Sequence, residues 1–290
     1  MTDIYAAVAV IVQENECSTA TACSLLDVCR SAYYAWCQRE PSPREQREAM
    51  LTPLVRAVFW QHRRRYGARR IASVLADMGE VCSPRCVAKI LKTQGLRALQ
   101  PKSFVPKTTE SRHTLGYSPN LILDAPDPCR INQLWVGDIT YVPLRGGTFC
   151  YLATLMDRYS RDIVGWELAE TMTDELTLAA LRMAICKRQP PAELVHHTDR
   201  GGQYASNRYR AVLRRAAILQ SMSRAGNVYD NAFMESCFGT FKTELEMTEY
   251  DNCWVARSAI VEYIDYYRSE RKHSALGYLS PMKFESLTAT

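Results

Sequence analysis

Three acidic residues in the second half of the chain stand where chemistry could be done. Asp138 lies inside Trp135-Val136-Gly137-Asp138-Ile139-Thr140-Tyr141-Val142. A charge among strand-forming neighbours is costly unless paired or metal-bound, although alone it also fits an edge-strand Asp facing water. Asp199 follows His196-His197-Thr198 and precedes Arg200-Gly201-Gly202-Gln203-Tyr204, at the carboxyl end of a short strand. Sheets of α/β proteins place their sites there, but an Asp before two glycines is equally a turn former. Glu235 belongs to a helix opened by Asp230-Asn231. With Asn231 at zero, Lys242 falls at about 20°, Glu235 at about 40° and Gly239 at about 80° around that helix. Met234, Phe238, Phe241 and Leu245 form an apolar stripe at about 280–340°. The helix therefore packs by that stripe and aims Glu235 and Lys242 the same way.

Singly, each carboxylate has an adequate plain explanation. Together they offer the oxygen ligands that hard divalent cations require. Two such ions, about 3.5–4 Å apart, activate the attacking oxygen and stabilise the leaving oxygen of a phosphodiester. Lys242 would hold a phosphate beside them.

The elements that must position these groups are legible. Residues 134–144, 148–157 and 161–169 read as three successive strands, rich in Val, Ile, Tyr, Phe and Trp. A helix over 174–187, a strand over 194–198, a helix over 206–217 and a strand over 218–222 follow, then helices over 231–246 and 253–268. The order β-β-β-α-β-α-β-α is that of the ribonuclease-H-like fold: α/β, a mixed five-stranded sheet flanked by helices.

The first half differs. Residues 1–115 carry 17 Lys/Arg against 10 Asp/Glu, whereas residues 116–290 carry 19 against 21. A basic arm on a near-neutral body suits a nucleic-acid-binding module attached to a catalytic one. Residues 1–40 read as a helical, helix-turn-helix-like region broken near Asp27–Arg30, with Val28 in the bend and Ser31 capping the second helix. A plain helical hairpin fits that stretch as well. Past Pro41-Ser42-Pro43, residues 44–98 read as an all-α helix-turn-helix module. It contains a helix over 44–61, the cluster Arg63-Arg64-Arg65-Tyr66-Gly67-Ala68-Arg69-Arg70, and a helix from Pro84 to about Gln94 capped by Ser83 and closed by Gly95. On that last helix Arg85, Lys89 and Lys92 fall within about 60° of one another, opposite Val87, Ile90 and Leu91. This pattern fits major-groove or phosphate contact. Five prolines mark 99–132 as an extended linker. The catalytic core is expected over 133–250, and a C-terminal helix and tail over 251–290.

Composition excludes some classes. Hydrophobic residues make up 47% and charged residues 23%, which argues against wholesale disorder. The apolar opening Ile4–Val12 is too short to span a bilayer and follows Asp3 rather than a basic cluster, so neither membrane nor secretion is expected and a cytoplasmic, nucleoid-associated protein is. The 11 cysteines are odd in number and lack any CxxC pair, so free, mostly buried thiols are expected rather than zinc or disulfides.

The segments around Asp138, Asp199 and Glu235 resemble the catalytic core of bacterial insertion-sequence transposases of the retroviral-integrase superfamily. The likeness is greatest to products of the second of two overlapping reading frames. Thirty-five residues separate Asp199 from Glu235, the spacing that names this DDE group, and Lys242 stands at the family's basic position seven beyond the Glu. Gly226-Asn227-Val228-Tyr229-Asp230-Asn231-Ala232 and the tail with Tyr267, Arg271, His273, Ser274, Leu276, Gly277, Tyr278, Ser280 and Pro281 match as well. Two departures are Gly137, where Thr or Ala is usual, and Arg268, where Asn is common.

The resemblance implies a transposase that cuts and joins DNA at element ends, with Asp138, Asp199 and Glu235 binding Mg²⁺ or Mn²⁺, two ions per site. It implies DNA contacts at Asn231 and Lys242, beside those expected at Arg69, Arg70, Arg85, Lys89 and Lys92. Expected partners are double-stranded element ends and target DNA, a further copy of the chain (at least a dimer), and an upstream-frame protein or frameshift fusion. Two alternatives stand beside this: a ribonuclease-H-like structure-specific nuclease such as a junction resolvase, and a non-catalytic DNA-binding regulator of transposition.

Overall fold

The computed structural model describes residues 2–14, 17–100, 116–224, 232–246 and 249–288. Two compact units divide the chain, Met1–Val58 and Phe59–Thr290.

In the first unit, α1 (Thr2–Gln13), α2 (Thr19–Leu25) and α3 (Arg30–Gln38) pack around Val8, Ala22, Cys23 and Tyr33, and Val28 joins that core as its place in the bend suggests. The expected pair of helices is thus three. Ser18 starts α2 by accepting the Thr21 N–H at 3.2 Å. Ser31 does not cap α3; that helix starts two residues earlier than such a cap implies, after Cys29, and the Ser31 hydroxyl lies 3.0 Å from the Cys29 thiol. A reciprocal capping box starts α4 (Pro43–Gln61): the Ser42 N–H donates to Glu45 at 2.7 Å and the Glu45 N–H to the Ser42 hydroxyl at 3.3 Å.

In the second unit, α5 (Ala68–Asp77) packs on α6 (Pro84–Thr93). Ile71, Ala72 and Leu75 are the buried residues of α5, and Val87, Ile90 and Leu91 those of α6. Ser83 caps α6 by accepting the Cys86 N–H, and Pro84 occupies its first turn, where a missing N–H costs nothing.

The sheet consists of β1 (Leu134–Leu144), β2 (Thr148–Asp157), β3 (Ile163–Ala169), β4 (Val195–Thr198) and β5 (Leu219–Met222), in the order β3-β2-β1-β4-β5. Pairs β1–β2 and β2–β3 are antiparallel, and β1–β4 and β4–β5 are parallel. This is the mixed five-stranded, ribonuclease-H-like sheet expected. β3 begins two residues later than expected, because Arg161 adopts a left-handed φ of 63° and the buried Asp157 carboxylate holds the preceding turn through Tyr159 and Ser160. Side chains alternate between faces. Trp135, Ala153, Leu155 and Val164 meet α7 (Asp174–Arg188), α8 (Gly202–Ala205) and α9 (Asn207–Arg215). Leu134, Val136, Val142, Leu152 and Met156 meet α10 (Ala232–Glu244) and α11 (Cys253–Ser269). The chain ends in a 3₁₀ turn (Ser274–Leu276) and α12 (Pro281–Thr288).

The departure at Arg268 has a structural counterpart. Its Nε and Nη2 donate to the two oxygens of the buried Asp162 at 2.7 and 3.1 Å. All 11 cysteines are free, but only Cys23, Cys150 and Cys237 are buried, so the expectation of mostly buried thiols fails. Four of them, including Cys29 and Cys37 at the two ends of α3, are exposed. No described helix is long and apolar enough to cross a membrane.

Candidate active site

β1 is the central strand, and it outlasts its parallel neighbour. Pairing with β4 runs from Leu134↔Val195 to Val136↔His197. Carried two residues further, the same register sets Asp138 abreast of Asp199, just past the end of β4. Asp138 shares the face of β1 that α10 covers, since it alternates in step with Val136 and Val142. Opposite it on β2 stands Thr154, whose buried hydroxyl has no hydrogen-bond partner among the described residues.

Local contacts hold both aspartates. The Asp138 carboxylate accepts the Ile139 N–H at 2.8 Å, and Asp199 accepts the Gly201 N–H at 2.9 Å. A Cβ on Gly201 would stand 3.1 Å from that Asp199 oxygen and 3.0 Å from Gln203, so a side chain there would crowd the carboxylate. Gly137 has a similar role on the opposite face: a Cβ there would lie 2.9 Å from the His196 ring. His196 is buried, bonded to the Tyr209 hydroxyl at 2.7 Å, and burial holds it neutral with a pKa of about 3. His197 is buried between Ser221 and Ser223. Both histidines are packing groups.

Burial pushes the Asp138 carboxyl well above the usual carboxylate range, the charge of Asp199 adds to this, and Glu235 adds less; the Ile139 N–H and Lys242 oppose it. Lys242 is itself lowered by burial and raised by Asp138. Glu235 and Lys242 on α10 therefore act electrostatically on Asp138, as their shared helix face suggests. Glu235 is nevertheless exposed. Among the described residues no three His, Cys, Asp or Glu side chains form a group able to hold a metal ion. The structure thus brings Asp138 and Asp199 together and leaves Glu235 within electrostatic reach but outside a closed ligand set. Tyr204 was not singled out from the sequence. Its buried hydroxyl has no partner among the described residues, and both aspartates act on it. The only sequence signal for it is its place just past Gly201-Gly202.

The donor set suits a divalent cation. Two carboxylates side by side, one of them desolvated, repel each other until a cation neutralises them.

The expected DNA contacts divide. Arg85, Lys89 and Lys92 lie on the exposed face of α6, and Arg69 is exposed. Arg70 turns inward: its Nε donates to the Lys272 carbonyl at 3.0 Å and its guanidinium lies 3.6 Å from Glu244. Burial and the neighbouring Arg271 disfavour its charge and Glu244 offsets part of this, so Arg70 is engaged within the chain where a DNA-facing side chain was expected. Asn231 lies outside the described residues.

The chain is similar to several known proteins. Integrase core domain models match residues 129–228 and 216–281, and an HTH-like domain model matches 45–104. An insertion element IS600 uncharacterized 31 kDa protein of Shigella sonnei is 42% identical over 264 residues, 90% of this chain and 96% of that protein. The transposase InsF for insertion sequence IS3A of Escherichia coli (strain K12) is 38% identical over 277 residues, 94% of this chain and 96% of that protein. A chain of the simian T-cell lymphotropic virus intasome aligns with a TM-score of 0.45 at 16% identity, over 80% of this chain and 73% of that one. On its integrase-core matches and its near full-length likeness to the two bacterial proteins, the chain belongs to the insertion-sequence transposase family.

Proposed function

We propose that this transposase cuts and rejoins DNA at a site formed by Asp138, Asp199 and Glu235, with Lys242 steadying a phosphate beside them. The observation that carries the reading is the Asp138–Asp199 pair, set abreast when the β1–β4 register is carried two residues on, with Asp138 half-buried on the central strand. Such a pair is unfavourable in the apo protein and becomes favourable around Mg²⁺ or Mn²⁺. When bound at these carboxylates, one or two such ions would supply the Lewis acidity that activates an attacking oxygen and stabilises a leaving one.

The residues of the chain do the rest. α6 grips the duplex through Arg85, Lys89 and Lys92, largely at phosphates. Lys242 orients the scissile phosphate. Water attacks the phosphodiester at an element end, the P–O3′ bond breaks and a 3′-hydroxyl is freed. That hydroxyl then attacks a target phosphodiester, one P–O bond forming as another breaks, with no covalent protein–DNA intermediate. Pairing two ends calls for at least a dimer on DNA.

The test is an assay with duplexes carrying the element's ends, scored for nicking and for joining in Mg²⁺. The wild-type chain is expected to do both, and Asp138→Ala and Glu235→Gln neither. A variant that joins as well as wild type overturns the assignment. Nicking without joining by the wild type would mean a nuclease.

A further inference from the structure

Two sequence motifs lie outside that reaction: the arginine run before α5 and the tail around Arg271-Lys272-His273. In the structure they form one joint. The Tyr66 hydroxyl accepts the Lys272 N–H at 2.8 Å and donates to the Glu270 carbonyl at 3.2 Å. The Lys272 ammonium reaches back to Ser73 and Asp77 on α5. His62 stacks on Tyr66 at 3.9 Å and bonds the Tyr266 hydroxyl at 3.1 Å. The Arg65 guanidinium lies 5.0 and 4.7 Å from the Tyr263 and Tyr266 ring centres.

The joint converges on Glu244, the last residue of α10. Its carboxylate accepts Arg271 Nε at 3.0 and 2.8 Å, Arg271 Nη2 at 2.7 Å and the Tyr263 hydroxyl at 3.0 Å. Arg70 stands 3.6 Å away, and the Glu244 carbonyl accepts Arg65 Nε at 3.0 Å. The Glu244 and Arg271 side chains are 6% and 5% exposed. A buried ion pair stabilises a fold little better than apolar side chains of the same volume would. It does fix geometry, because a planar guanidinium meets a carboxylate at set distances and angles. Holding the end of a helix fixes its rotation and axial position along its whole length, and Glu235 and Lys242 ride on this helix.

We propose that Glu244 is a positioning residue for the reaction. Through Arg65, Arg70, Tyr263 and Arg271 it sets α10, and hence Glu235 and Lys242, according to how the α5–α6 module is held on DNA. This rests on reading Asp138, Asp199 and Glu235 as the site and α6 as a DNA contact.

The test uses the full chain and an element-end duplex, with Glu244→Leu/Arg271→Met as an apolar replacement that leaves no lone buried charge. Hydrogen exchange over residues 232–244 is followed with and without duplex, beside Kd and the single-turnover nicking rate at saturating duplex. In the wild type, duplex is expected to slow that exchange. In the double variant the slowing is expected to vanish and the nicking rate to fall roughly 10²-fold, the scale of a small misplacement, while Kd stays within about 3-fold. Glu244→Gln, which keeps the shape and part of the hydrogen bonding, should recover part of both. Should the double variant fail to fold, Arg70→Met tests the same link from the α5 side, with the same signature in smaller measure. A folded variant with wild-type nicking and a wild-type exchange response overturns the role of Glu244. Glu235→Gln run alongside separates the two readings: it should abolish nicking and keep the exchange response, whereas normal nicking by Glu235→Gln would overturn the site and leave the exchange result to stand alone.

Discussion

At the scale of single residues, Asp138 is placed at a cost to stability. Its carboxyl is desolvated and faces Asp199, so its charged form is disfavoured in the folded chain. Asp138→Asn removes that charge and keeps the shape. It should raise the thermal midpoint by about 2–4 °C, the scale of 1 kcal/mol in a chain of this size, while abolishing nicking. Magnesium should raise the midpoint of the wild type and leave that of Asp138→Asn unmoved. A variant less stable than wild type would mean that Asp138 is a structural anchor. The sequence exposed this residue because a charge inside an apolar strand is conspicuous. Glu244 was not legible in the same way: on a helix it looks like an ordinary surface glutamate, and its partners lie 19 to 179 residues away in the chain.

At the scale of elements, the His196 ring on β4 fills the space that a side chain at position 137 of β1 would need. A Cβ would reach the ring of buried His196 at 2.9 Å, so Gly137→Thr should cost about 1–3 kcal/mol in chemical denaturation. Combining it with His196→Val should restore part of that loss, and equal losses in the single and double variants would refute the packing account. Gly137 and His196 are then one local solution, which explains a departure from the family pattern at 137. For α6, replacing Arg85, Lys89 and Lys92 with Ala should weaken DNA binding and reduce the slope of log K against log salt by about 2–3. An unchanged slope would remove α6 from the interface. The strands and α6 could be read from the sequence because alternation and helical amphipathicity are local signals. The inward turn of Arg70 could not, because its partners, Lys272 and Glu244, come from distant parts of the chain.

At the scale of the whole molecule, buried His62 and His196 and half-buried His273 make the fold sensitive to acid. Burial lowers His62 to about 4, His196 to about 3 and His273 to about 2. The folded chain keeps them neutral, while the unfolded chain takes up protons near the ordinary value of about 6.5. Stability is therefore full above that value and falls as the pH drops through it toward 4, by up to about 2 kcal/mol for each histidine at pH 5. Denaturation at pH 7 and pH 5 should show the loss, and His62→Gln should lessen the difference; an equal difference would place the acid sensitivity elsewhere. The order of strands and helices was legible, whereas the closing of the ligand set was not, because it depends on where α10 sits. The central claim, that Asp138, Asp199 and Glu235 share one cation site, is tested most directly by Mn²⁺ binding to the DNA-bound chain, read by electron paramagnetic resonance. Wild type is expected to bind Mn²⁺ tightly, and Asp138→Asn, Asp199→Asn and Glu235→Gln each to lose that binding; Mn²⁺ bound equally well by any one of the three would contradict the claim.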